Sequence, residues 1–142
     1  NGPDYAAPAI QSAISAILDD LSLSLPSMIL AGFSQGGMMS LHCGLRLKTA
    51  PAAIISFSGA LLRHDDLAAI PASPYPPVQL VHGTEDEVVP FLLMSETSRI
   101  LQPLGVVVET IERRGLGHGI DPDGLTASVN FLDTILQPDH EQ

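Results

Sequence analysis

The chain has 142 residues, with six Lys plus Arg against sixteen Asp plus Glu, a formal charge of −10, one Cys, no Trp and 45% hydrophobic residues. This fits one globular domain over residues 1–142, large enough to build a core without disulfides or a structural metal. The charge excludes nucleic acid, since phosphate binding needs clustered Lys and Arg, the apolar runs fall far short of the ~20 residues of a membrane span, and Cys43 alone rules out a disulfide framework.

The elements follow in chain order. Residues 6–23 place Ile10, Ile14, Ile17 and Leu21 at helical spacings of three and four, and Pro26 ends that helix. Met28 to Phe33 is a near-continuous apolar strand, the pattern of a strand covered on both faces in a parallel sheet. Beyond Gly36 and Gly37, Met38, Leu41 and Leu45 mark a helix that Pro51 closes off. Ala53 to Phe57 reads as a second strand, and Val78 to Val81 as a third after a loop rich in Pro (Pro71, Pro74, Pro76, Pro77). Leu93, Ile100, Leu101 and Leu104 indicate a helix between Pro90 and Gly105, and Val106 to Ile111 a fourth strand whose Glu109, Glu112 and Arg113 suit a sheet edge. Asp121 and Pro122 have the chemistry of an N-cap and first helical residue, opening a last helix with Leu125, Val129, Leu132 and Leu136 expected on its buried face. Strands alternating with helices imply an α/β fold, mainly a parallel sheet with right-handed crossovers and helices on both faces. Function in such sheets sits at the carboxyl ends of the strands.

Three motifs fall there. Gly32-Phe33-Ser34-Gln35-Gly36 has the form of a nucleophile elbow, a Ser on a strained turn from strand to helix, with glycines where neighbouring backbone comes close. The spacing alone arises by chance about one time in ten in such a chain. Its place between an apolar strand and a helical run gives it weight, because the helix start aims backbone N–H groups, Gln35 first, at a developing negative charge. The second motif, His82 to Pro90, holds Asp86 as the expected carboxylate, with Glu85 and Glu87 as competitors and a solvated acidic turn as the plain alternative. The third is Gly117-His118-Gly119, a His on a flexible-backbone loop after the fourth strand. Ser34, Asp86, His118 is the chain order of an α/β-hydrolase triad.

The remaining histidines rank lower: His42 on the helix after Ser34, His64 in a polar loop, His82 as a structural residue at a strand end, His140 in the tail. Neither His64-Asp65-Asp66 nor Asp139-His140-Glu141 has the spacing of a zinc or calcium site, so no metal is expected. Cys43 has a small apolar residue's setting, and a lone thiol fits a reducing compartment, here read as the cytoplasm. Leu61, Leu62 and Tyr75, on the loop from Ala60 to Pro77, are candidates for the border of a substrate pocket, against the plain reading of a passive connection.

The phrases Gly32 to Gly37, His82-Gly83 through Asp86-Glu87-Val88-Val89-Pro90, and Gly117-His118-Gly119 resemble those of the phospholipase/carboxylesterase family, which includes the acyl-protein thioesterases. The resemblance spans most of the chain. It implies an α/β-hydrolase fold, no cofactor, and hydrolysis of acyl esters or thioesters, with Ser34 as nucleophile, Asp86 as orienting acid and His118 as base. The N–H of Gln35 would be one oxyanion donor.

The family places several strands and a Gly-rich oxyanion loop ahead of the nucleophile strand, and the 26 residues before Ser27 hold no counterpart. The chain therefore reads as the C-terminal portion of such a domain, and loss of one oxyanion donor costs roughly a hundred- to a thousandfold in turnover. An apolar strand edge at Met28 to Phe33 is expected to be covered either by residues preceding Asn1 or by a second subunit of a homo-oligomer. The competing functional readings are a catalytically silent fragment that binds an acyl ligand or a partner chain, and an acyltransferase using the same triad.

Overall fold

The computed structural model describes residues 2–70 and 74–137. Asn1, Pro71 and the tail motif Asp139-His140-Glu141 lie outside the described residues. The elements run α1 (Pro3–Leu21), β1 (Ile29–Phe33), α2 (Gln35–Gly44), β2 (Ala53–Phe57), β3 (Val78–Gly83), α3 (Leu92–Leu101), β4 (Val108–Arg113) and α4 (Pro122–Leu136), with short 3-10 turns at Leu25–Ser27, Leu67–Ala69 and Gln102–Leu104. The four strands form one parallel sheet in the order β1-β2-β3-β4.

The interior strands β2 and β3 are buried at every position, as their apolar runs require. Two cores flank them. On one face Leu41 and Leu45 from the α2 region and Met94 and Leu101 of α3 pack with Ile54, Val78 and Leu80. On the other, Phe131 and Leu132 of α4 pack on Ile55, Phe57 and Val81. This is the α/β architecture with helices on both faces. No helix among the described residues is long and apolar enough to cross a membrane.

Three expectations are corrected. β1 is not covered on both faces: Ala31 and Phe33, which share one face, are exposed, because α4 packs mainly over β2, β3 and β4. On α1 the buried residues are Ala7, Ile14 and Leu18, while Ile17 and Leu21 are exposed. On α4, Leu125, Val129 and Leu136 are exposed, and Gly124 and Ser128 are the buried positions.

The reason on α4 is close approach. A Cβ on Gly124 would sit 3.3 Å from Val81 Cγ1, and Ser128 Oγ donates to Oε1 of Gln79, the second residue of β3, at 2.6 Å. The helix meets the sheet through a glycine and a hydroxyl, so its inner face is not its most apolar one. The α4 start is as read: Asp121 caps it by accepting the Gly124 N–H at 2.9 Å, and Pro122 opens the first turn.

Candidate active site

The carboxyl ends of β1, β3 and β4 bring Ser34, Asp86 and His118 together. Ser34 links β1 to α2 with φ 56° and ψ −118°, outside the ordinary regions for a residue with a side chain. Its N–H donates to Phe57 O at 2.8 Å, which ties the turn to β2. The turn is so tight that a Cβ on Gly32 would lie 2.2 Å from both C and O of Gly36. Gly36 itself faces open space, so of the two elbow glycines only Gly32 is sterically required within the described chain; Gly37, whose Cβ would fall 2.6 Å from Ser56 Oγ, shares that requirement.

Asp86 lies in the turn after β3 with its carboxylate fully buried, whereas Glu85 and Glu87 on either side are exposed. The turn presents only the middle acid inward. Asp86 Oδ1 accepts the N–H groups of Val88 and Val89 at 2.9 Å each, and Oδ2 lies 2.8 Å from His118 Nδ1. Burial by itself would raise the Asp86 carboxyl; the hydrogen bonds from His118, Val89 and Val88 outweigh it and hold the group below the ordinary carboxylate value.

His118 sits on the loop between β4 and α4, and its Nε2 is 2.9 Å from Ser34 Oγ. A carboxylate only accepts, so Nδ1 carries the hydrogen and Nε2 presents a lone pair to the Ser34 hydroxyl. The Phe33 ring lies against the imidazole, centroids 4.7 Å apart. The loop is clamped at its base, where Arg113 Nε donates to both carboxylate oxygens of Asp121 at 3.0 Å.

Gln35 begins α2, so its N–H is among those the helix leaves without an internal acceptor. Beside it opens an apolar cavity of about 590 Å³, lined by Tyr5, Ile10, Gln35, Gly36, Met38 and Leu62 among others. Of the three loop candidates for a pocket border only Leu62 faces this cavity. Leu61 and Tyr75 pack into the core, Tyr75 with its hydroxyl donating to Leu67 O.

The other histidines separate. His64 is exposed. His42 is buried between Arg46 NH1, 3.0 Å from its Nδ1, and Asp4 Oδ1, 3.2 Å from its Nε2, and burial followed by the Arg46 charge lowers its pKa. Asp66, from the His64-Asp65-Asp66 cluster, is held by Arg46 through two bonds of 2.9 and 2.7 Å. Cys43 is buried in apolar surroundings that raise its pKa, in keeping with a packing role. His82 is also buried, and the sequence reading placed it only as a strand-end residue; it lies 3.3 Å from Asp86 Oδ2. The i,i+4 spacing of His82 and Asp86 was the available signal.

Comparison with known proteins agrees with this architecture. The sequence model of the Phospholipase/Carboxylesterase family matches residues 4–136. Acyl-protein thioesterase 1 of Neurospora crassa is 32% identical over 121 residues, 82% of this chain and 49% of the relative. That of Gibberella zeae is 34% identical over 115 residues, 78% of this chain and again 49% of the relative. The crystal structure of esterase PE8 superposes with a TM-score of 0.90 at 38% identity, covering 95% of this chain and 62% of the esterase. The chain thus spans about half the length of the curated relatives it matches.

Proposed function

The chain belongs to the phospholipase/carboxylesterase family, and from that premise we propose that it carries the catalytic centre of a serine hydrolase acting on acyl esters or thioesters, with Ser34, His118 and Asp86 as its triad. The single observation that carries this reading is the position of His118, with Nε2 2.9 Å from Ser34 Oγ and Nδ1 2.8 Å from Asp86 Oδ2. The relatives' names, thioesterase and esterase, support the substrate class.

In this reading Ser34 Oγ attacks the acyl carbonyl carbon while its proton passes to His118 Nε2. Asp86, kept ionised by its hydrogen bonds, fixes the Nδ1–H tautomer and stabilises the imidazolium that forms. The carbonyl oxygen, now an oxyanion, accepts the Gln35 N–H at the start of α2. His118 then returns its proton to the departing alcohol or thiol, leaving an acyl ester on Ser34. A water activated by the same Nε2 hydrolyses that ester. The apolar cavity beside Gln35 and Gly36 is positioned to take the acyl group.

The test is covalent labelling by a fluorophosphonate, read by intact mass. A single adduct that maps to Ser34 and disappears in Ser34→Ala is the expected result. Absence of an adduct under conditions that label an ordinary serine esterase refutes the reading and leaves acyl-ligand binding without turnover.

A further inference from the structure

Resting on the triad reading above, we propose that His82 is a positioning residue for it, a buried imidazole that stands at the same Asp86 carboxylate oxygen as His118. His82 ends β3 and is 2% exposed. Its Nε2 lies 2.9 Å from Val89 O and 3.3 Å from Asp86 Oδ2. Both neighbours are acceptors, so Nε2 carries the hydrogen, which Val89 O accepts while Oδ2 lies close beside it. Val89 in turn donates its own N–H to Asp86 Oδ1. One imidazole therefore closes a ring: it fixes the carbonyl of the residue whose amide fixes one carboxylate oxygen, and it stands against the other.

The ring limits what Asp86 can do. Three hydrogen bonds hold its two oxygens, from Val88 and Val89 on Oδ1 and from His118 on Oδ2, and His82 Nε2, bonded to Val89 O, stands 3.3 Å from Oδ2. Rotation of the carboxylate about its last bond would break the two backbone bonds and swing Oδ2 away from His118. The Phe91 ring packs edge-on against His82, centroids 6.0 Å apart, and restrains the imidazole. Asp86 is thus oriented from outside the turn as well as within it. The geometry that aims His118 at Ser34 then starts one residue further back than the triad itself. A 1 Å misplacement of this kind costs on the order of a hundredfold in rate.

The experiment compares the full chain with His82→Leu, which removes the donor, and His82→Gln, whose amide nitrogen reaches the place of Nε2. The readouts are the downfield proton resonance of His118 Nδ1–H, assigned by its loss in His118→Asn, and the separate values of kcat and KM on a soluble ester. In His82→Leu the resonance moves upfield and broadens, kcat falls about 10–100-fold and KM stays within about twofold; His82→Gln restores both. If His82→Leu does not fold, His82→Asn replaces it, one bond too short to reach Val89 O, with the same losses expected. A folded His82→Leu or His82→Asn with unchanged resonance and kcat overturns the proposal, as does a His82→Gln as impaired as either. Absence of the resonance from the unsubstituted chain overturns it too. A resonance that responds to His82 in a chain that hydrolyses no ester supports the positioning role and refutes the hydrolase reading, so the two failures are distinct.

Discussion

Replacing Ser34 by Gly and by Ala separates chemistry from backbone strain. Both substitutions delete the hydroxyl and its bond to His118, so that loss cancels between them. Alanine keeps a Cβ at φ 56° and ψ −118°, a conformation that costs a residue with a side chain about 1–3 kcal/mol. Glycine relieves this, and gives back about 0.5–1 kcal/mol through the greater freedom of its unfolded chain. The net expectation is that Ser34→Gly is more stable than Ser34→Ala by about 1 kcal/mol. With an unfolding entropy near 2.1 cal/mol/K per residue, 142 residues convert that difference to roughly 3 °C in Tm. Differential scanning calorimetry of the two variants at one concentration and pH measures it. A Ser34→Gly melting at or below Ser34→Ala would refute the argument, because it would mean that the turn does not hold position 34 in a strained conformation.

Three further expectations concern the frame around the site. Gly32→Ala forces a methyl to 2.2 Å from the Gly36 backbone, where no side chain can yield, and should cost about 3 kcal/mol or more in a denaturant titration. Arg46 holds the Asp66 carboxyl at about 2 by hydrogen bonding, against the opposing effect of burial. A folded value below the unfolded one means that the unfolded chain takes up the proton first. This stabilisation is therefore complete above about pH 4 and is lost as pH falls through about 2; Asp66→Asn should flatten that part of a Tm-versus-pH curve relative to the unsubstituted chain. Arg113→Met opens the base of the His118 loop by removing the bidentate bonds to Asp121 and should lower stability by about 1–2 kcal/mol in chemical denaturation, with a wider spread of His118 resonances in the same sample.

The order and type of the elements were legible because turn chemistry punctuates them. The Asp121-Pro122 pair stands at the start of α4 as read, Pro26 and Pro51 fall in the connections after helices that already stop at Leu21 and Gly44, and the parallel sheet follows from strands that read as continuous apolar runs. The helix faces were less legible. On α4 the hydrophobic period selects Leu125, Val129, Leu132 and Leu136, while the sheet is approached through Gly124 and Ser128, and three of those four large residues are left outside. A count of apolar residues cannot register close packing by small ones. On α1 the same period holds at Ile14 and then departs by one position, since Leu18 and not Ile17 is buried. At the candidate site, residue types and chain order located Ser34, Asp86 and His118. Asp86 was preferred over Glu85 and Glu87 from the sequence, and the turn supplies the physical reason, since it buries the middle acid and leaves the other two exposed. The proximity of His82 to Asp86 was hidden because the order rule for triads draws attention to the later His.

The place of β1 at one end of the described sheet gives the backbone beside Ser34 an alternating character. The N–H of Ser34 meets Phe57 O of β2 at 2.8 Å and the C=O of Met28 meets the N–H of Ala52, just ahead of β2, at 2.7 Å, so in a parallel register the even-numbered residues of this stretch turn their peptide groups toward β2 and the odd-numbered ones turn away. Amide hydrogen exchange should then divide along a single strand, with Leu30, Gly32 and Ser34 slow and Ile29, Ala31 and Phe33 fast. Slowing of those three odd amides alone would be the signature of another strand, from whatever source, zipping onto the edge that leads directly to the Ser34 turn.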